Sequence, residues 1–324
     1  KIQIGMMGDY PLLINGANGQ QRRGNETELI ATIAYNASGA GNGVVVNKDS
    51  PYYQLSDLKG KNVSVPFGSA ATGMLLQAMQ ARGWPDDLWN LVSQTPEIGT
   101  SNLREKKIDA HADFVPFAEL LPYRGFARKI FDGAETGVPT FHGVVVRRDF
   151  ADNYPEVVVA YLRAMLDADD WVRTNPKLAA EKIAQWTKID KEVVYIFLGP
   201  GGIHTLDPTI KPLLVNAIRT DYDVLRKLGK VRTFNVDSWV NERYLREAFR
   251  QRGLDYDAQK RSLANYDIHG KDPVCGKPIT HPKDAGEVWI DGGDIVPFSS
   301  PVCTFMGIRK AQEAGKKIAV VYLF

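Results

Sequence analysis

The side chains able to do chemistry in this chain sit in two glycine-flanked loops and three short polar clusters. In Gly5-Met6-Met7-Gly8-Asp9-Tyr10-Pro11 a strand-like apolar run empties into a loop that carries a carboxylate and a phenol. Open α/β sheets hold ligands at such carboxyl ends of strands. In Phe67-Gly68-Ser69-Ala70-Ala71-Thr72 small residues let the backbone approach a ligand. The helix that follows points free N–H groups and its dipole at a partly negative group. The competing readings are that Ser69 or Thr72 only caps this helix and that Asp9 only closes an Asx-type turn. His111 and Asp113 alternate along an extended stretch, so they share one face and Ala112 takes the other. Phe141 and His142 could stack on a ligand or hydrogen-bond to it. His111, His142 and Asp113 also have the donor types of a metal site with two histidines and a carboxylate. Their spacing does not demand one, and each histidine could equally be a satisfied structural residue.

Alternating strands and helices must position these groups. Val44-Val45-Val46 is a short β-branched run, and the polar residues 47–51 after it read as a crossing between two lobes. Asn62-Val63-Ser64-Val65-Pro66 reads as a strand, followed by the glycine turn and a helix with Met74, Leu75, Ala78 and Met79 on one face and Gly83 as its stop. A short charged helix at 102–107 leads into the strand that ends at Asp113, and a second valine run at 144–146 returns the chain to the first lobe. Residues 155–252 read as mostly helical. Pro155 stands in the first turn of a helix striped by Val158, Tyr161, Leu162 and Met165; a second helix spans 177–187, and Asp190 caps a third. Asp207-Pro208 opens a fourth towards Leu228-Gly229, and Asp237 begins a fifth that Gly253 stops. The polar, aperiodic stretch after it reads as a linker.

Composition excludes several classes. The 324 residues are 44% hydrophobic and 24% charged, ordinary for a globular chain with room for two cores. Forty basic and 38 acidic residues are well mixed and leave a net charge of +2, which is no nucleic-acid footprint. No apolar run approaches the ~20 residues a membrane span needs. A nucleophile elbow, a P-loop and an HExxH zinc motif are all missing from the sequence.

The order of these motifs, with Leu58-Lys59-Gly60-Lys61, Ile108-Asp109-Ala110-His111-Ala112, Val145-Val146-Arg147-Arg148-Asp149-Phe150 and Tyr154-Pro155-Glu156-Val157-Val158, resembles the periplasmic substrate-binding proteins of ABC importers. Within them it is most similar to the nitrate/sulfonate/taurine and thiamine-pyrimidine-precursor branch, over residues 1–255. The resemblance implies a type II periplasmic-binding-protein fold, α/β, with lobe 1 at 1–47 and 139–255, lobe 2 at 48–138 and a linker at 256–270. It implies a periplasmic location, an ABC permease as partner and a small-molecule ligand between the lobes, with no cofactor in this main domain. Gly8, Asp9, Tyr10, Ser69, Ala70, Thr72, His111, Asp113, Phe141 and His142 are then the candidate ligand residues. Members of the family normally carry a strand, a helix and a second strand before the loop matching Gly8-Asp9-Tyr10, so those elements are expected to be missing here, together with any membrane anchor. Asp9 and Asp113 would both repel a simple sulfonate or nitrate, which favours a ligand bearing an amine, an amidine-like ring or a metal. The same fold also serves iron-dependent thiamine-pyrimidine synthases, but this chain lacks the cysteine cluster associated with them.

The tail is chemically distinct, because it holds both cysteines. Asp272-Pro273-Val274-Cys275-Gly276-Lys277 resembles the opening of YHS-type and NosL-like metal-handling domains, and Trp289, Asp291-Gly292, Phe298-Ser299-Ser300 and 317–322 follow the NosL-like order. That implies a small α+β module over 271–324. Lys277 departs from the methionine usual there. Three readings stay open: a Cys275–Cys303 disulfide closing a loop of about 28 residues, a copper or other soft-metal site on Cys275, Cys303 and Met306 with His281 as a further donor, or two unpaired thiols.

Overall fold

The computed structural model describes residues 2–227, 229–263 and 265–323. Lys1 and Leu228, placed by the sequence reading at the head of the first strand and the end of a helix, lie outside the described residues. The chain divides into two compact units, 2–169 with 206–263 and 170–205 with 265–323.

Among the described residues, eight strands lie wholly within the first unit: β1 (Ile4–Gly8), β2 (Thr27–Asn36), β3 (Gly43–Asn47), β4 (Asn62–Val65), β5 (Asn90–Ser93), β6 (Ala110–Asp113), β7 (Ala127–Asp132) and β8 (Thr140–Arg147). They form two sheets, hence two lobes. Lobe 1 orders β1, β8 and β2 side by side, both pairs antiparallel, with Gly8 opposite His142 and Tyr35 opposite Phe141. Lobe 2 is a five-stranded sheet in the order β5-β4-β6-β3-β7, parallel from β5 to β6 and antiparallel at β3 and β7.

Local chemistry explains the helices that frame the lobes. α1 (Asp9–Gln20) follows β1 directly, and α2 (Ala70–Ala81) follows the turn after β4. α2 buries Ala71, Met74, Leu75, Ala78 and Met79 against Val63, Val65, Ala110 and Ala112, an apolar stripe at helical spacing over the hydrophobic face of the sheet. Its expected end at Gly83 holds. α3 (Pro96–Arg104) begins earlier than the charged stretch at 102–107 suggested, with Pro96 at its first position.

Several boundaries move. The first crossing lies at 37–42, not at 47–51, so β3 belongs to lobe 2. Val44, Val45 and Val46 are buried on both faces because β3 is an inner strand between β6 and β7. The polar residues after it are only a surface turn. In the true crossing the Asn36 side chain accepts hydrogen bonds from the amides of Ser38, Gly39 and Ala40. Gly39 has φ +97°, and a Cβ on it would stand 2.4 Å from the carbonyl of Val138 in the returning crossing. Only glycine lets the two crossings pass backbone to backbone. Asp207 does not open a helix either: its carboxylate turns back to the Thr209 amide at 2.9 Å and the buried Lys211 ammonium at 2.8 Å, and the helix starts at Pro212 and runs to Lys227. Residues from Asp237 to Val240 are turns that seat Trp239 in the lobe 1 core, and the helix is Arg243–Gln251.

The second unit is larger than the expected 271–324 module. Its sheet orders the strands Ile295–Phe298, Gly286–Ile290 and Ile318–Leu323, all antiparallel, with the helix Pro301–Glu313 between the last two in sequence. Residues 170–205, read as part of lobe 1, belong to this unit. The helix Lys191–Leu198 sets Tyr195 against Trp289 and Tyr322, with ring centroids 5.6 and 5.2 Å away, and the Tyr322 hydroxyl donates to the Glu192 carbonyl at 2.9 Å. The expected linker is divided as well, because Tyr256–Arg261 is a helix of the first unit while 265–270 join the second.

Candidate functional site

Asp9 and Tyr10 come together where β1 runs into α1, as their loop position suggested. The Asp9 carboxylate is 4% exposed and is spoken for on both oxygens: Oδ1 accepts the Tyr10 amide at 2.8 Å, and Oδ2 accepts the Thr140 hydroxyl at 2.6 Å and the Phe141 amide at 3.3 Å. It thereby ties the end of β1 to the start of β8. Burial pushes its pKa up, against the lowering pull of Thr140, the Tyr10 amide, His142 and the Phe141 amide. Burial likewise pushes the His142 imidazole down, opposed by the Asp9 charge.

Facing Asp9 is a carboxylate the sequence reading did not single out. Asp221, 2% exposed on the helix Pro212–Lys227, accepts a hydrogen bond from Gln77 of α2 at 2.8 Å, so one side chain of each lobe clasps the other. Burial pushes Asp221 well above the ordinary carboxylate range, and the Asp9 charge adds to the shift. The Tyr10 phenol, 2% exposed, is pushed up by burial and by both carboxylates. Its hydroxyl lies against Asp221 without a hydrogen bond of sound geometry to any described group. Between these groups is a partly open interlobe cavity of about 10 Å³, room for the centre of one water-sized sphere, lined among others by Asp9, Tyr10, Asn42, Gln77, Thr140 and Asp221.

The other expected ligand residues divide. Ala70 lines the cavity, and Gly8 lies beside the His142 ring, 3.9 Å from where a Cβ would stand. Ser69 is the N-cap of α2, accepting the Thr72 amide at 3.4 Å, while the Thr72 hydroxyl donates to the Pro66 carbonyl at 2.9 Å. The capping reading therefore accounts for both. Ser69→Ala is expected to destabilise lobe 2 by about 1 kcal/mol with ligand affinity unchanged, measured by chemical denaturation and calorimetric titration. Phe141 is 1% exposed and belongs to the lobe 1 core, contributing only its amide to Asp9. His111 and Asp113 do not face the cleft. Both are fully buried inside lobe 2, paired at 2.7 Å, with Ser64 at 3.2 Å from the other ring nitrogen and Gly99 of α3 so close that a Cβ would fall 2.2 Å from the ring. They form a satisfied polar pair under a helix.

Asp221, Gln77, Asn42, Thr140 and Gly73 are the residues missed. One signal was legible: Leu214, Ala217, Ile218, Asp221 and Leu225 form a buried helical stripe in which the carboxylate occupies a core position.

In the second unit Cys275 and Cys303 are unbonded thiols, the first exposed and the second partly buried. Their sulfurs and a carboxylate oxygen of Asp272 lie within 4.8 Å of one another. Asp272 is buried, and its oxygens accept the amides of Val274 at 2.7 Å and Ser299 at 2.8 Å and the Ser299 hydroxyl at 2.6 Å. Burial opposes its ionisation, but these hydrogen bonds hold the carboxyl well below its usual range.

Two α/β lobes joined by two crossings beside an interlobe cavity define the periplasmic-binding-protein fold, and solved structures agree. The periplasmic aliphatic sulphonate binding protein SsuA from Escherichia coli superposes with a TM-score of 0.62 at 18% identity, over 74% of this chain and 76% of that one. The desulfurization enzyme DSZB superposes with a TM-score of 0.60 at 17% identity, over 77% and 85%. Residues 20–179 match the sequence model of the family described as NMT1/THI5 like. The taurine-binding periplasmic protein of Escherichia coli K12 is 30% identical over 179 residues, 54% of this chain and 52% of that protein. The chain spans about half the length of the curated relatives it matches.

Proposed function

We propose that this chain is the solute-binding component of an ABC-type importer, which captures a small molecule between its lobes outside the inner membrane and presents it to a permease. The observation that carries the reading is the interlobe cavity with, on its wall, the buried Tyr10 hydroxyl that makes no hydrogen bond of sound geometry. Buried polar atoms are nearly always satisfied, so an orphan in a cleft marks a place where a ligand or water completes the network. The clasp of Gln77 on Asp221 supports closure of the two lobes over that place. The names of the relatives favour binding over catalysis, although DSZB puts an enzyme on the same fold. Titration calorimetry with a panel of small solutes, paired with small-angle scattering, tests it: a ligand that shrinks the radius of gyration supports the reading, and a chain that no solute closes or binds overturns it.

A second reading concerns the tail, as a NosL-like metal-handling segment. The donor atoms of Asp272, Cys275 and Cys303 are close enough to share one ion. With the Asp272 oxygens engaged by hydrogen bonds, sulfur is the available donor type, which suits a soft metal such as copper(I), and Met306 on the same helix as Cys303 offers a thioether. The reduced chain is expected to take one equivalent of copper(I) in competition with a chromogenic chelator, and Cys303→Ser to lose it. A chain that never competes with the chelator, or whose purified mass is lower by two hydrogens and resists metal, overturns it.

A further inference from the structure

We propose that the interlobe site selects a protonated amine, bound between Asp9 and Asp221 with the Tyr10 hydroxyl as its third partner. The inference rests on the cleft being the ligand site and adds the charge of what it takes.

Charge makes the first argument. The described residues that line the cavity include two carboxylates and no lysine, arginine or histidine. Anionic ligands require donors, and the donors here are neutral: the amides of Asn42 and Gln77 and the hydroxyls of Tyr10 and Thr140. Three of those are committed, since the Gln77 amide donates to Asp221, the Thr140 hydroxyl to Asp9 and the Asn42 amide to the Thr140 oxygen. A sulfonate would meet two acids and little to neutralise it.

Geometry makes the second. An ammonium head is a water-sized group with three donors and no acceptor, and the cavity holds one water-sized sphere. It offers three acceptors in the right number, all from lobe 1: the Asp9 carboxylate, the Asp221 carboxylate and the Tyr10 oxygen, which makes no hydrogen bond of sound geometry. Gln77 of α2 lines the same cavity from lobe 2, so a cation there sits where the lobes meet and favours the closed form over the open one, as differential binding requires.

The site is poised for a positive charge. Burial pushes both carboxyls towards their protonated forms, the Asp9 charge adds to the shift of Asp221, and a cation between them reverses this. The titratable groups lining the site are Asp9 and Tyr10 at the β1–α1 junction and Asp221 on the helix Pro212–Lys227, with His142 of β8 interacting electrostatically with Asp9 from outside the lining. Each carboxyl must be ionised to pair with an ammonium, so binding releases protons and affinity rises with pH. An anion would do the opposite, taking protons up and binding better in acid.

Ethylammonium and ethanesulfonate, matched in size and opposite in charge, decide the matter when titrated calorimetrically into the full chain at about pH 6 and pH 8, in buffers of different ionisation enthalpy, with scattering as the closure readout. Ethylammonium is expected to bind, to close the lobes, to release protons and to bind more tightly at the higher pH. Asp221→Asn keeps an oxygen for Gln77 and the fold, as a thermal scan would verify, and should weaken ethylammonium at least 30-fold. Closure by ethanesulfonate with proton uptake overturns the charge assignment and leaves the cleft reading standing. If neither probe binds while an uncharged solute closes the lobes, the assignment also falls alone. If nothing closes them, both readings fall.

Discussion

Gly73→Ala is expected to leave the chain folded and unable to close, with ligand affinity reduced at least 100-fold. Gly73 lies inside α2 of lobe 2, and the ring of Tyr10 from lobe 1 packs directly over it. A Cβ there would stand 2.0 Å from Cε2 and 2.1 Å from Cζ of that ring. No carbon pair tolerates such distances. Tyr10 cannot swing aside, because it is 2% exposed and packed in the core with Leu12, Leu13 and Phe141. The lobes would have to stay apart by more than an ångström. That separation breaks the 2.8 Å bond from Gln77 to Asp221 and opens the cavity to water. In the open form the same methyl meets nothing from lobe 1, and alanine is the better helix former by about 1 kcal/mol, so folding itself does not suffer. A 100-fold loss corresponds to about 2.7 kcal/mol, a modest demand on so severe an overlap. Titration calorimetry reads the affinity and small-angle scattering the closure. Unchanged binding with full compaction would show that the two lobes do not meet at Gly73.

How far the sequence could be read depended on whether a residue's environment was local. α2 was legible because everything that makes it is nearby: Ser69 caps it, Met74, Leu75, Ala78 and Met79 repeat at its period, and Gly83 stops it. The position of Asp9 at the interlobe cavity was legible because the end of a strand is also local. His111 and Asp113 were not. Alternation says that they share a face of β6, but it does not say what covers that face. β6 lies between β4 and β3 in a sheet with both faces buried, so the side shared by the two polar residues is closed by α3 over Gly99. The same blindness misplaced the first crossing. Val44-Val45-Val46 read as the end of one lobe, although its burial on both sides makes it an inner strand of the other, and the glycine-rich 39–43 was passed over. The acidic site survived that error in altered form. Asp113 is buried inside lobe 2 against His111, and the second carboxylate lining the interlobe cavity is Asp221. Its signal lay in a charge standing in an apolar helical stripe.

Glu287 makes the second unit sensitive to pH. The residue stands on the strand Gly286–Ile290, 5% exposed, and accepts a hydrogen bond from the Tyr195 hydroxyl at 3.0 Å. Burial pushes its carboxyl from an ordinary 4.5 up to about 7, only partly offset by that hydrogen bond. A carboxyl whose pKa is higher folded than unfolded keeps a proton in the folded state that the unfolded chain has already lost. Its contribution to stability is therefore complete below about pH 4.5, declines as pH rises, and is gone above about pH 7. The loss across that window is about 3 kcal/mol, since each pH unit of separation is worth about 1.4 kcal/mol. Tyr195 transmits the effect, because its ring packs on Trp289 and Tyr322 and so couples the helix Lys191–Leu198 to the sheet. Glu287→Gln keeps an oxygen for the Tyr195 hydroxyl and removes the charge. Hydrogen exchange of peptides spanning 286–290, corrected for the intrinsic pH dependence of exchange, should show the wild-type strand losing protection between pH 5 and about pH 8. In the glutamine variant protection should stay level and exceed the wild type at the upper end. A wild-type strand equally protected at both values would mean that Glu287 ionises without cost, and that water reaches it in spite of the aromatic cover.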